Sequence, residues 1–330
     1  MDKKHIDITI IIPFLNEEDN IERLGKELIN YVSSKPNLSF EIILVNDGST
    51  DNSINTIQAS KFPAQTKLIS FSQNYGSHAA LRAGIMHAKG DYVTFLYADL
   101  QDPIENVSVM YAKEMEGNDI IWAHRAGTQN SFFEKQFSKF YSRLMQKYVN
   151  KRYPVKGFDV VMFNRKVTDA INKNIEGNSS VFLQILNLGF RQEFVEYQKV
   201  ARKAGKSKWT LSKKIKLLID SFVAFSFAPI RLVSFIGILF FLGGLLWTAY
   251  IVFRKLVFDD LASGWPALLS ILMIGFGITN ISLGIIAEYL WRTLDASRKR
   301  PVFIIDEIID LTVSDPIELK VDGVVELKQA

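Results

Sequence analysis

The chain has no cysteine among its 330 residues. Disulfides, thiolate catalysis and zinc sites built on Cys are therefore excluded. Histidine is scarce too: four, scattered, which argues against a His-only metal cluster. Charge is nearly balanced. A net +4 is too mild for a nucleic-acid binder, and its location matters more than its size. The segment Met1–Ile10 carries charges and lacks the apolar core of a signal peptide, so the N-terminus is expected in the cytoplasm. The hydrophobic fraction, 48%, is ordinary for a globular protein. Its distribution is not. Apolar and polar segments alternate over the first two hundred or so residues, and two long apolar stretches follow from Ile230. The length allows two domains, or one domain with an appendage.

The first half has a strand-then-helix rhythm. Ile8–Pro13, Glu41–Asp47, Lys67–Ser72, Asp91–Tyr97 and Asp119–Ala123 read as strands, with helices over Glu18–Ser34 and Ser77–Ala88. Ser49, Thr50 and Asp51 offer caps for a helix after the second strand. Pro103 suits the first turn of another. Such alternation predicts an α/β domain with a mostly parallel sheet covered on both faces. Polar clusters follow the strands at Asn16-Glu17, Asp47, Asn74 and Asp99. Any one of them alone is an ordinary turn or cap residue. Their recurrence at the same end of successive strands predicts that they gather along one rim, where ligands of open α/β sheets bind. The run Asp91-Tyr-Val-Thr-Phe-Leu-Tyr-Ala-Asp99 stops abruptly at carboxylates. Asp99 is thus placed to hold a hard divalent cation that in turn holds a diphosphate.

Lys203, Lys206, Lys208, Lys213, Lys214 and Lys216 make a basic segment. Ile215, Leu218, Ile219, Phe222 and Phe225 then recur at helical spacing. A basic amphipathic helix directly before an apolar stretch reads as lying at an anionic membrane surface. Leu232–Phe253 is uncharged, Pro266–Leu290 carries only Glu288, and each is long enough to cross a bilayer. Trp247, Tyr250, Trp265, Tyr289 and Trp291 sit near the ends as interfacial residues do. Lysines precede the first stretch, and Arg292, Arg298, Lys299 and Arg300 follow the second, so both termini are expected in the cytoplasm. The expected organisation is a cytosolic domain over 1–210, an interfacial helix over 211–229, a transmembrane hairpin over 230–292 (spans about 232–253 and 266–290) and a cytosolic tail over 293–330. In that tail, Ile317–Leu319 and Val324–Leu327 alternate around Asp322-Gly323, a hairpin pattern. Gly237, Gly243, Gly244, Gly275 and Gly277 permit close helix packing within the hairpin or in a homo-oligomer.

Seven motifs resemble the family 2 glycosyltransferases of the GT-A (Rossmann-like) fold, in particular the polyprenyl-phosphate glycosyltransferases. They are Ile11-Ile-Pro-Phe-Leu-Asn-Glu-Glu18, Val45-Asn-Asp-Gly-Ser-Thr-Asp51, Gln73-Asn-Tyr-Gly-Ser77, Ala98-Asp-Leu-Gln-Asp-Pro103, Gly157-Phe-Asp159, Arg165-Lys166 and Arg202-Lys-Ala-Gly-Lys-Ser-Lys-Trp209. The resemblance covers about residues 6 to 300. It implies a nucleotide-sugar site formed by Pro13, Asn16, Glu17, Asp47, Asn74, Asp99 and Gln101, with Asp47 hydrogen-bonding the uracil or its ribose. It implies that Asp99 is the metal ligand for Mg²⁺ or Mn²⁺, which stabilises charge on the departing UDP. Asp102 is either part of the same motif or an N-cap. Arg202, Gly205, Lys206, Ser207 and Lys208 would lie across the diphosphate and the acceptor phosphate, where cations let two anionic substrates approach. Trp209 would stack on sugar or sit at the interface. Asp159 and then Glu176 are the candidates for positioning or base work. One residue departs from the family pattern: Tyr97 stands where relatives carry the first Asp of Asp-x-Asp. A phenol with a pKa near 10 is a poor Mg²⁺ ligand.

The expected function is an inverting transfer of a hexose from a UDP-sugar (UDP-glucose or UDP-N-acetylglucosamine) to undecaprenyl phosphate at the cell membrane. The product, a lipid-linked monosaccharide for cell-envelope glycans, would pass to a flippase and an extracytoplasmic glycosyltransferase. Membrane lipids are expected partners and nucleic acid is not. A processive polysaccharide synthase fits less well, because the chain lacks a Gln-x-x-Arg-Trp motif and further spans. Tyr97 favours the alternative of a metal-independent or catalytically impaired membrane-tethered binder of sugar nucleotides.

Overall fold

The computed structural model describes residues 5–63, 65–126, 132–154, 157, 159–174, 179–198, 228–258, 264–298, 301–311 and 317–319. Two units are distinguished. One comprises Met1–Leu217 with Pro301–Ala330, the other Leu218–Arg300.

The first unit is built on β1 (Ile8–Phe14), β2 (Phe40–Asn46), β3 (Thr66–Phe71) and β4 (Tyr92–Phe95). They lie side by side in the order β3-β2-β1-β4, all parallel. β1 and β2 are buried at every position, as strands covered on both faces must be. The intervening helices are α1 (Glu18–Ser33), α2 (Ser53–Ala59) and α3 (Ser77–His87). α1 buries Ile21, Leu24, Leu28 and Tyr31, one face at a 3.6-residue period, and opens with Glu18 and Asp19, which suit the positive end of its dipole.

After α4 (Asn106–Glu114) come β5 (Ile120–Arg125), α5 (Phe132–Tyr148), β6 (Val160–Asn164), α6 (Arg165–Lys173), α7 (Val181–Asn187) and β7 (Gln192–Tyr197). β6 inserts antiparallel between β4 and β5, and β7 runs parallel to β5. The sheet is therefore mixed rather than mostly parallel. The reversal at β6 has a consequence for the site, because it starts β6 at the rim where β4 ends. On the far edge, β8 (Ile305–Asp310) pairs antiparallel with β3, and β9 (Ile317–Leu319) pairs antiparallel with β8. Ile317–Leu319 thus finds its partner in β8. Val324–Leu327 lies outside the described residues.

Glu41 interrupts the apolar face of β2 yet is 1% exposed. It accepts from Thr9 Oγ1, the Lys89 amide and Lys67 Nζ, each at 2.8 Å. A charge taken out of water is tolerable only with partners of this kind. Glu114 on α4 is different. It is 3% exposed, and neither carboxylate oxygen meets a hydrogen-bond partner among the described residues. Burial, helped by the charge of Asp119, pushes its pKa up to about 8. A carboxyl raised in the folded state stabilises the fold below its ordinary value near 4.5. That contribution is lost as pH rises toward 8, because unfolding then releases a proton. Glu114→Gln is expected to melt with wild type at about pH 5 and several degrees above it at about pH 8, as read by thermal unfolding across that range.

The second unit holds α8 (Ala228–Phe258) and α9 (Trp265–Ser297). Among the described residues, Ile274–Trp291 in α9 is the one stretch long and apolar enough to cross a membrane by length and composition. Most of the exposed large apolar side chains lie on these two helices, including Phe235, Leu246, Phe253, Phe276 and Leu290. Apolar surface on this scale calls for a covering.

Candidate functional site

The carboxyl ends of β1, β2 and β4 form one rim, and β1 and β4 flank the point where the strand order reverses. The turn after β1 and the turn after β2 are stitched together. Asn16, at φ 52°, accepts from the Thr50 amide at 2.8 Å and donates its own amide to Ser49 Oγ at 2.9 Å. The Glu17 amide donates to Ser53 Oγ at 2.9 Å. Asp51 Oδ1 accepts from the Ser53 amide at 3.0 Å, but the N-cap position of α2 is held by Asn52, which makes no side-chain cap bond, so none of Ser49, Thr50 and Asp51 is the N-cap. Pro13, near the end of β1, is buried.

Asp47 is 4% exposed. Its Oδ1 accepts from the Tyr75 amide at 2.8 Å and the Gly76 amide at 3.0 Å, and its Oδ2 from Gly76 at 3.1 Å. Burial raises its pKa despite these bonds. The carboxylate therefore serves as a clamp on the loop Ser72–Gly76, and that loop presents Asn74, exposed, at the rim. Beside the clamp, Gly48 has φ +71°, and a Cβ there would sit 2.6 Å from the Gln73 carbonyl carbon. Only glycine allows so close an approach in that conformation.

β4 ends at Phe95, earlier than the sequence pattern indicates, so Asp99 lies in a turn beyond the strand. The Leu100 amide closes that turn on the Tyr97 carbonyl at 3.1 Å, and Leu100 takes φ 51°, strained for a leucine. The Gln101 amide donates to Asp99 Oδ1 at 3.2 Å. Arg23 on α1 joins the site with no signal in the sequence to mark it. Its Nη2 donates to the Asp99 carbonyl at 2.8 Å and to Asn20 Oδ1 at 3.2 Å, and Asn20 Nδ2 donates to Glu17 Oε2 at 2.7 Å. A chain of hydrogen bonds so connects Glu17 in the first turn to the backbone of Asp99.

Asp102 is 2% exposed and accepts from the hydroxyl of Tyr197, at the end of β7. Its expected role as an N-cap does not hold. α4 begins at Asn106, with Glu105 at the N-cap position. Tyr97 sits among carboxylates. Burial, then the charges of Asp102, Asp159 and Asp99, hold its phenol well above the ordinary 10. The shift keeps it a neutral hydroxyl in the metal-free chain, a weaker metal ligand than the carboxylate it stands in place of. Asp159 reaches the rim because β6 runs backward from it, and its amide donates to the Ala123 carbonyl at 3.2 Å. Arg165, in another of the motifs, turns away from the rim and donates to the carbonyls of Ala88 and Gly90.

The rim thus brings together Pro13, Asn16, Glu17, Asp47, Asn74, Asp99, Gln101 and Asp159. Glu176 and the basic stretch with Arg202, Gly205, Lys206, Ser207, Lys208 and Trp209 lie outside the described residues. No group of three or more acidic or histidine side chains suited to a metal occurs among the described residues. The carboxylate of Asp99 does not by itself make an all-protein metal cage; it suits a divalent cation that completes its shell with water and substrate phosphates.

The model of the glycosyl transferase family 2 domain matches residues 9–172. Over 306 residues the chain is 34% identical to the uncharacterised glycosyltransferase YkcC of Bacillus subtilis (strain 168), covering 92% of this chain and 94% of that protein. It is 30% identical over 308 residues to the undecaprenyl-phosphate 4-deoxy-4-formamido-L-arabinose transferase of Proteus mirabilis (strain HI4320), covering 92% and 94%. Among solved structures, mannosyl-3-phosphoglycerate synthase from Rubrobacter xylanophilus is a distant likeness, with TM-score 0.47, 13% identity and coverage of 65% of this chain and 71% of that one.

Proposed function

The chain belongs to glycosyl transferase family 2, and from that premise we propose that it moves a hexosyl group from a UDP-sugar to a polyprenyl phosphate, releasing UDP. The observation that carries the donor half is the rim itself, with Asp99 held on a turn that Arg23 and Gln101 pin in place. The acceptor half draws on the Proteus relative, whose name specifies undecaprenyl phosphate.

In this reading an oxygen of the lipid phosphate attacks the anomeric carbon from the face opposite UDP. The bond from that carbon to the diphosphate oxygen breaks, and its electron pair leaves with UDP. The nucleophile is already an anion, so no base has to remove a proton from it. The work left to the chain is to bind the diphosphate, orient it and keep the two anions together. Asp99 would hold the divalent cation, which supplies charge stabilisation to the leaving diphosphate. Asp159, whose charge is felt by Tyr97, would position the acceptor, and Asp47 fixes the loop that carries Asn74. Arg202, Lys206 and Lys208 would neutralise the second phosphate.

Membrane attachment by two spans is supported by connectivity. β8 pairs with β3 in one sheet, and one sheet cannot have a bilayer between its strands. A chain that leaves this unit near 217 and rejoins it at 301 crosses any bilayer an even number of times. If α9 crosses, α8 crosses with it. Single cysteines introduced at Lys26 and at Glu307 are expected to react with a membrane-impermeant maleimide from the same side, the cytoplasmic one. Labelling from opposite sides would rule out the hairpin.

The decisive assay combines the purified full chain, a panel of labelled UDP-sugars, Mg²⁺ or Mn²⁺ and undecaprenyl phosphate. Label passing into the organic phase with a stoichiometric release of UDP is the expected result. UDP binding without turnover on any lipid acceptor would favour the tethered binder that Tyr97 suggests.

A further inference from the structure

The strand that follows the apolar helices does more than finish the sheet. The Ser72 amide donates to the Ile304 carbonyl at 3.2 Å, so the tail meets β3 at the residue where the loop Ser72–Gly76 begins. Phe303 stacks on Phe71, with ring centroids 5.1 Å apart and planes within 14°. Phe71, 4% exposed, in turn meets Tyr75 edge to face at 5.7 Å and 88°. Tyr75 is one of the two residues whose amides Asp47 clamps. The pairing of β3 with β8 shifts register between Ser70 and Phe71, which sets Phe71 apart from the regular ladder just where the tail ring covers it.

The loop is therefore held from two directions. Asp47 and Gly48 grip its backbone on one side. A column of three rings, Phe303, Phe71 and Tyr75, supports it on the other. We propose that Phe303 is a positioning residue for the donor site, so that the segment returning from the apolar helices completes the pocket for the nucleotide. The inference rests on the reading of Ser72–Gly76 as part of the nucleotide-sugar site. Loss of one ring from an aromatic pair of this geometry is expected to change the loop's population by roughly three- to tenfold.

The test measures UDP binding by calorimetry, with divalent cation present, on the full-length protein in detergent. Phe303→Ala is expected to weaken UDP binding about three- to tenfold and to raise KM for the donor by the same factor, with kcat and KM for the lipid acceptor within about twofold of wild type. Phe303→Tyr keeps the ring and should restore wild-type binding. Ile309→Ala loosens the same strand from below, since Ile309 is 2% exposed and sits opposite Leu68. It should lower the melting temperature without weakening UDP binding. Where Phe303→Ala does not fold, Phe303→Leu removes the stacking and keeps most of the apolar volume. Unchanged UDP affinity in the Ala or Leu variant overturns the proposal. So does an equal loss in Ile309→Ala, which would assign the effect to strand docking in general. If wild type itself binds no UDP, the donor reading fails instead, and the two failures are told apart.

Discussion

Asp99→Asn is expected to reduce sugar transfer by about 10²- to 10³-fold or more, the loss seen when one electrostatic stabiliser of a developing charge is removed. The substitution is chosen for what it leaves intact. Oδ1 of Asp99 accepts from the Gln101 amide, and the side-chain carbonyl of asparagine can accept the same bond. The carbonyl that Arg23 holds belongs to the backbone and is untouched. The turn with Leu100 at φ 51° should therefore stand, and the melting temperature should stay within about 2 °C. What disappears is the charge that a divalent cation needs. Tyr97 is a poor replacement, because burial and three neighbouring carboxylates raise the pKa of its phenol. The metal concentration giving half-maximal rate should rise steeply in the variant, and excess Mg²⁺ or Mn²⁺ should recover part of the rate. A variant that keeps the full wild-type rate, or a wild type indifferent to chelator, would remove Asp99 from the leaving-group side of the reaction.

The parts of this site that are readable in the sequence are those where one residue type at the end of one strand carries the information. The β-branched run at Ile8–Phe14 and the carboxylates at Asp47 and Asp99 announce themselves in that way. Pairing partners do not. Arg23 looks like any polar position of an amphipathic helix, and its acceptor lies 76 residues further on. Tyr197 and Asp102 are 95 apart. Periodicity tells which face a side chain occupies and says nothing of what faces it. β6 is not among the strands read from the sequence, and its direction would be hidden in any case, since a five-residue strand reads the same whether it runs with its neighbours or against them. That direction is what delivers Asp159 to the rim. The tail is the extreme case. Its short amphiphilic pattern suggests a hairpin at Ile317–Leu319 and says nothing of β8, which pairs with β3 and brings Phe303 against Phe71. Only the folded chain exposes a contact between segments separated by the whole apolar insertion.

Gly48→Ala should damage the donor site almost as severely, by a purely steric route. Two costs add at this position. With φ at +71°, any L side chain is strained by about 1–2 kcal/mol. The new Cβ would also stand 2.6 Å from the carbonyl carbon of Gln73 and 2.7 Å from the amide nitrogen of Asn74. Both are backbone atoms, so no rotamer change relieves the overlap. The loop Ser72–Gly76 has to move away, and the bonds from the Tyr75 and Gly76 amides to Asp47 stretch with it. Asp47 would then be a buried carboxylate with fewer donors, which adds a desolvation cost. The combined loss of stability is expected to be about 2–4 kcal/mol, and UDP affinity should fall at least about tenfold, because a displacement of about 1 Å is enough to spoil a bound geometry. Gly189→Ala separates the two contributions. Gly189 has φ +78°, a Cβ there would meet nothing within 4 Å, and the residue precedes β7, away from the rim. The substitution should lower the melting temperature through backbone strain and leave UDP binding unchanged. If Gly48→Ala matches Gly189→Ala in both measurements, the loop does not depend on that close approach, and its assignment to the nucleotide site loses its structural basis.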